Sequence, residues 1–347
     1  MASKYFTDAN SAAGYVSLQK ENLAGINRIY HLKSPADTLV HEILEQLRAQ
    51  LSLKRLTPEC VYNTFNPELL AGLVIRELDT AFVSGEVVAH EAIVIDLNAV
   101  YCGLKIKKSR EQLDQLNQSM QALYEKMYMH FNAALHIHDE WEKIYIDRMD
   151  FKKADVFRQN VLSELFGNVR ETGRVSVIVR RFFGASTTEG LTDFIPELTA
   201  GLKRYFIKGR PGSGKSTLMK EVVKKATILG LDSDVYHCSL DPKSLDMVII
   251  PELGFCIFDA TAPHEYEPHF KGDEILDTYT AFIRKGTDER CATVLSSVEV
   301  KYNNQIKSAR ATLGEASELR AEIGAIYKDA EIASQVEAMI AALGNKL

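Results

Sequence analysis

The chain has 347 residues, 46% hydrophobic and 25% charged, with a net charge of −6. That balance suits a globular protein large enough for two cores and argues against broad binding of nucleic acids or anionic membranes. Five scattered cysteines, with no C-x-x-C pair, argue against a disulfide framework or a zinc site.

Taken in order, the first half reads as an α/β core followed by a helical arm. Apolar runs predict strands near 28–32, 60–64, 73–77 and 80–84, with a helix over 37–50. Lys107 to Lys143 reads as a long helix, with Leu113, Leu116, Met120, Leu123 and Met127 forming a seam at spacings of three and four. A shorter helix is expected over 152–166. Within the long helix His136, His138, Asp139 and Glu140 suggest a metal set. Only His136 and Glu140 share a face there, so a solvated helix surface is expected.

The second half repeats this plan. Val175 to Phe183 is β-rich, and further strands are expected at 204–207, 234–238, 248–250 and 255–259. Its arm begins near Asp288, carries Leu295, Val298, Tyr302, Ile306, Ala309 and Leu313 on one stripe, and ends in a helix over 330–343. Each arm is expected to fold back as a helical hairpin, with the possibility of packing on its twin.

The repetition is visible in the residues themselves. Leu23-Ala24-Gly25-Ile26-Asn27-Arg28 answers Thr199-Ala200-Gly201-Leu202-Lys203-Arg204. Asn66-Pro67 answers Asp241-Pro242, Glu77-Leu78 answers Glu252-Leu253, and His90-Glu91 answers His264-Glu265. The matches keep one order and lie half the chain apart, which predicts a tandem duplication divided as 1–172 and 173–347.

One stretch carries chemistry. Gly209-Arg210-Pro211-Gly212-Ser213-Gly214-Lys215-Ser216-Thr217 holds every fixed position of the phosphate-binding loop, after a short strand and before an amphipathic helix. Such a loop wraps phosphates with backbone N–H groups and aims the positive end of the helix at them. Lys215 is expected to reach the β- and γ-phosphates, and Ser216 to ligate Mg2+ together with Asp259 at the end of its strand. Asp241 and Glu252 are candidates to orient a water or an acceptor hydroxyl. His264 reads as structural more than as a phosphate sensor, and Arg284, Lys285 and Arg290 read as either a lid or solvated helix ends. In the first half the loop shrinks to Ser34-Pro35-Ala36-Asp37 and the strand-end acid becomes Ser84, so one nucleotide per chain is expected. Arg76, with Pro251 as its counterpart, is the candidate for a cation supplied across the halves.

Tyr236-His237-Cys238-Ser239-Leu240-Asp241-Pro242, Ile249-Ile250-Pro251-Glu252-Leu253 and Asp259-Ala260-Thr261-Ala262-Pro263-His264 resemble a family of uncharacterised bacterial tandem phosphate-loop ATPases. The resemblance implies two phosphate-loop NTPase-like cores, each with a helical arm, and ATP as ligand. It departs at residues 34–37 and 84, where the family keeps an intact loop in both halves. Three readings stay open at this level: a Mg2+-dependent ATPase, a small-molecule kinase, and a non-hydrolysing nucleotide sensor. No nucleic-acid or membrane partner is expected, a protein partner or self-association through the arms is possible, and no signal core or membrane-length apolar run stands against a cytoplasmic location.

Overall fold

A computed structural model describes residues 3–85, 92–188 and 190–347. His90 and Glu91, one of the repeated pairs, lie outside the described residues. The first half runs β1 (Lys4–Tyr5), β2 (Asp8–Ser11), β3 (Gly14–Ser17), α1 (Gln19–Asn22), β4 (Arg28–Lys33), α2 (Asp37–Leu53), β5 (Glu59–Tyr62) and β6 (Leu70–Ile75). It continues through β7 (Thr80–Val83), β8 (Ile93–Asp96), α3 (Gly103–Lys108), α4 (Arg110–Ile146) and α5 (Phe151–Phe166).

The second half opens with β9 (Ile178–Arg181), β10 (Gly184–Thr187), β11 (Gly190–Asp193), α6 (Ile195–Leu198), β12 (Lys203–Lys208) and α7 (Lys215–Leu229). Then come β13 (Ser233–His237), β14 (Leu245–Ile250), β15 (Phe255–Asp259), β16 (Glu274–Asp277), α8 (Thr278–Phe282), α9 (Thr287–Ala330) and α10 (Ala333–Gly344).

Twelve of the described strands build two six-stranded mixed sheets, ordered β1-β5-β6-β7-β4-β8 and β9-β13-β14-β15-β12-β16, and β2–β3 and β10–β11 form two antiparallel pairs. Both orders and all pairing directions agree position by position. In each, the strand before the loop lies between two parallel neighbours, β7 and β8 for β4, β15 and β16 for β12. The third strand of each sheet runs antiparallel to both neighbours. Even the irregularity recurs: the register slips between Val61 and Tyr62 and between Tyr236 and His237.

Burial on both faces explains the near-continuous apolar runs of these strands. One face of the first sheet packs on α2 through Leu39, Ile43, Leu44 and Leu47, and the matching face of the second packs on α7 through Leu218, Met219, Val222 and Ala226. The opposite faces join in one core, where Val61, Val74 and Ala81 meet Tyr236, Ile249 and Phe258. The layers therefore run helix, sheet, sheet, helix. Where the halves meet at β1 and β9, Phe6 and Phe182 exchange backbone hydrogen bonds of 2.9 and 2.8 Å.

The arms differ from the expected hairpins. Helices α4 and α9 pack on each other in opposite directions, as the pairs Gln112–Glu322, His130–Gln305 and Tyr145–Asp288 show. Each short helix then lands on the other half. Helix α5 adds Val161, Leu165 and Phe166 to the α7 core, and α10 adds Val336 and Leu343 to the α2 core. No helix among the described residues is long and apolar enough to cross a membrane.

Candidate functional site

Strand β12 ends at Lys208 and α7 begins at Lys215, so the glycine-rich stretch forms the turn between them. A Cβ on Gly209 would lie 2.3 Å from Thr278 Oγ1 and 2.4 Å from Ser213 Oγ, so only glycine fits. Gly212 sits at φ +71°, and its Cα faces the backbone of α4, where a Cβ would meet Glu142 O at 2.6 Å. Ser213 braces the turn from inside by accepting from Arg210 N and bonding Thr278 Oγ1 at 2.8 Å. Arg210 leaves the turn for Asp288 in the first turn of α9, at 2.8 Å, and lies over the Tyr279 ring. Tyr145 Oη donates to the other Asp288 oxygen at 3.0 Å. Pro211, Gly214 and Thr217 complete the turn and the first turn of α7.

At the helix start Lys215 Nζ donates to Arg210 O at 3.0 Å and stands 3.5 Å from Asp259 Oδ2. Asp259 is carried there by register, since β15 runs parallel to β12 with Asp259 opposite Ile207. Its other oxygen accepts from Thr261 N and Oγ1 at 3.0 and 2.5 Å. Ser216 Oγ accepts from Leu245 N at 2.9 Å, tying α7 to the start of β14. An ammonium, a hydroxyl and a carboxylate thus surround the N-terminus of a helix at the carboxyl edge of parallel strands, where α/β sheets gather ligands.

The other candidates divide by strand direction. The 238–244 turn lies at this same edge, and there Asp241 accepts from Ser244 Oγ at 2.7 Å and from Lys243 N. Glu252 does not join it. Strand β14 runs antiparallel to β12's neighbour β15, so the residue after β14 emerges at the far edge. There Glu252 pairs with Arg174 at 2.5 Å and accepts from Asp232 N. Arg76 is placed at the far edge of the first sheet for the same reason, bound to Glu59 at 2.7 Å. His264 bonds Asp193 at 2.9 Å and packs edge-on to Phe183. Arg290 donates to Lys285 O, in the turn just before its own helix.

Sequence reasoning gave no role to Asp246. The slipped register pairs Tyr236 with Met247 and His237 with Leu245, leaving Asp246 as the extra residue of a β-bulge. Bulges re-aim side chains, and this one puts a half-buried carboxyl near Asp259, Lys215, His264 and Cys238. Loss of solvent pushes its pKa up to about 6, and the charge on Asp259 adds to the rise. The signal was present in the repeat, because the bulge residue of the first sheet is Ala71.

Helix α4 covers the loop with residues of the first half. His138, Asp139 and Glu142 bring their side-chain donor atoms within 4.8 Å of one another, on a different face from the exposed His136 and Glu140. Burial lowers the His138 pKa against the pull of Glu142, and the charge of Lys215 acts with burial. His136, Asp139 and Glu140 are exposed, as the spacing predicts, whereas His138 is half-buried because α4 lies against α9 and the loop. Comparison with protein-family models, with curated proteins and with solved structures returns no match.

Proposed function

We propose that the second half binds a nucleoside triphosphate, with ATP as the expected one, and hydrolyses it in a magnesium-dependent reaction. On this reading the two sheets are tandem phosphate-loop NTPase-like cores, and the first is a scaffold that binds no nucleotide. The observation that carries it is the Lys215–Asp259 pair, set by adjacent parallel strands across a glycine turn that opens a helix.

The donor chemistry fits magnesium, which prefers oxygen ligands. Ser216 Oγ and the Asp259 carboxylate would hold it, and there it would offset charge on the β- and γ-phosphates. The backbone N–H groups of the turn and the N-terminus of α7 hold phosphate oxygens, and Lys215 neutralises the charge that develops in transfer. Asp246 takes the proton of the attacking water. A carboxyl held near pH 6 is a better base at neutral pH than one at the ordinary value near 4. Asp241, at the same edge, keeps the turn beside it in shape. Helix α4 limits water above the loop.

Calorimetry with magnesium and ATP tests this reading on the intact chain and on Lys215→Ala. One nucleotide per chain and its loss in the variant are expected. Two per chain, or one tight site left in the variant, would overturn it.

A further inference from the structure

A second cleft lies on the other side of Ser216, between α7 and the outer strands of the second sheet. Its volume is about 340 Å³, within the range of small-ligand sites. Arg180 on β9, Lys220 and Lys224 on α7 and Lys243 in the 238–244 turn converge on it, over a floor of Val223 and Leu245. Four cations around one cleft stand out in a chain of net charge −6. Among the described residues no carboxylate pairs with Arg180, Lys220 or Lys243, and Lys224 has only Glu221 at 3.8 Å. Such a cluster repels itself unless an anion joins it.

The cleft is held in shape. His237 Nδ1 donates to Pro242 O at 2.6 Å, so its Nε2 is the acceptor for Arg180 Nη1 at 3.0 Å. That bond keeps His237 uncharged and aims the guanidinium without spending its charge on a carboxylate. Burial also lowers the His237 pKa.

The first half supplies an internal control. The strand pairings put Lys4 where Arg180 stands and Tyr62 where His237 stands. The buried stripes of α2 and α7 match His41 with Lys220 and Glu45 with Lys224, and the Asn-Pro and Asp-Pro turns match Glu68 with Lys243. Lys4 pairs with Glu197, Glu45 with Arg48, and His41 accepts from Leu70 N. The basic cleft is present beside the complete loop and missing beside the shortened one.

We infer that this cleft binds a small phosphorylated molecule, its phosphates on Arg180, Lys220, Lys224 and Lys243 and its apolar part on Val223 and Leu245. The ligand lies one hydrogen bond from Ser216, through Leu245 N, and touches the turn that carries Asp241. Anion binding here does not depend on the nucleotide reading.

The test is calorimetry with inorganic pyrophosphate at low ionic strength, using Lys215→Ala so that the loop lysine contributes nothing. Binding is expected, and it should weaken roughly tenfold or more when Lys220→Glu and Lys243→Glu are added. Both lysines are exposed, so the fold should survive, and Lys220→Gln with Lys243→Gln gives the same reading without charge reversal. Equal affinity in the paired chains, or no binding to either, would overturn the proposal. Magnesium–ATP binding by the unaltered chain is titrated separately, and its failure would leave the cleft result standing.

Discussion

Two loop-to-helix junctions occupy the same place in two sheets of the same order, and they have opposite contents. Between β12 and α7 the six residues Gly209–Gly214 form an open cradle, with Lys215, Ser216, Asp259 and Asp246 around it. Between β4 and α2 only Ser34–Ala36 remain. There Ala71 replaces the bulge aspartate, Ser84 replaces Asp259 and bonds Ala71 O, and Asp37 at the helix start is held by Arg320 from α9. The bridges Met149–Ile283 and Tyr101–Glu331 align the arms so that Arg320 answers His138 of α4. Both junctions are thus covered by a residue from the opposite arm. In one the covering residue forms a closed ion pair; in the other it faces a lysine. The framework accommodates either set, so the difference between the junctions lies in a few side chains rather than in the sheet.

The largest test of that contrast is Lys215→Ala, which should cut turnover by roughly a thousandfold with little change in melting temperature, measured by phosphate release and thermal unfolding. Next comes Asp246→Asn, expected to lower turnover by roughly a hundredfold while raising stability. The sign follows from the raised pKa. Asp246 holds its proton more tightly in the folded chain, so its contribution is fully present below about pH 4 and is lost as pH rises through about 6. Asparagine removes that loss, on the order of 1–3 kcal/mol at pH 8. Urea unfolding at pH 5 and pH 8 would show it, and an unchanged pH slope would contradict the placement of this carboxyl.

In the first half Arg320→Met should cost about 1–2 kcal/mol of stability, because Asp37 is left half-buried without its partner. Nucleotide affinity should stay within about threefold, and a larger loss would mean that the first junction is not inert. The smallest effect belongs to Glu252→Gln. Its pair with Arg174 lies at the surface of the far edge, so turnover should not move and stability should change by about 0.5 kcal/mol or less.

The sheets were legible where strands are apolar on both faces, and the glycine-lysine loop was legible because its chemistry is written in consecutive residues. Strands β8 and β16 were not, since Ile93, Val94 and Ile275 are exposed on edge strands and give no buried pattern. Glu252 and Arg76 read as site candidates yet lie at the far edge, because a strand's sequence does not encode its direction; pairing with a distant neighbour decides that. Asp246 escaped because a bulge changes which way a side chain points without changing composition. The seams of α4 and α9 announced that each helix packs, but an apolar stripe does not name its partner, and the exchange of α5 and α10 followed from tertiary packing alone.

That exchange also sets an order of assembly. Strands β4 to β7 and helix α2 are synthesised early, yet the flank of α2 that receives Val336 and Leu343 waits until residues 333–344 have been made. The whole second half is translated while that apolar flank has no cover. Contacts between residues so far apart close late and slow the search for the native state, and the uncovered surface is open to other chains meanwhile. The half that emerges first is the half that finishes last.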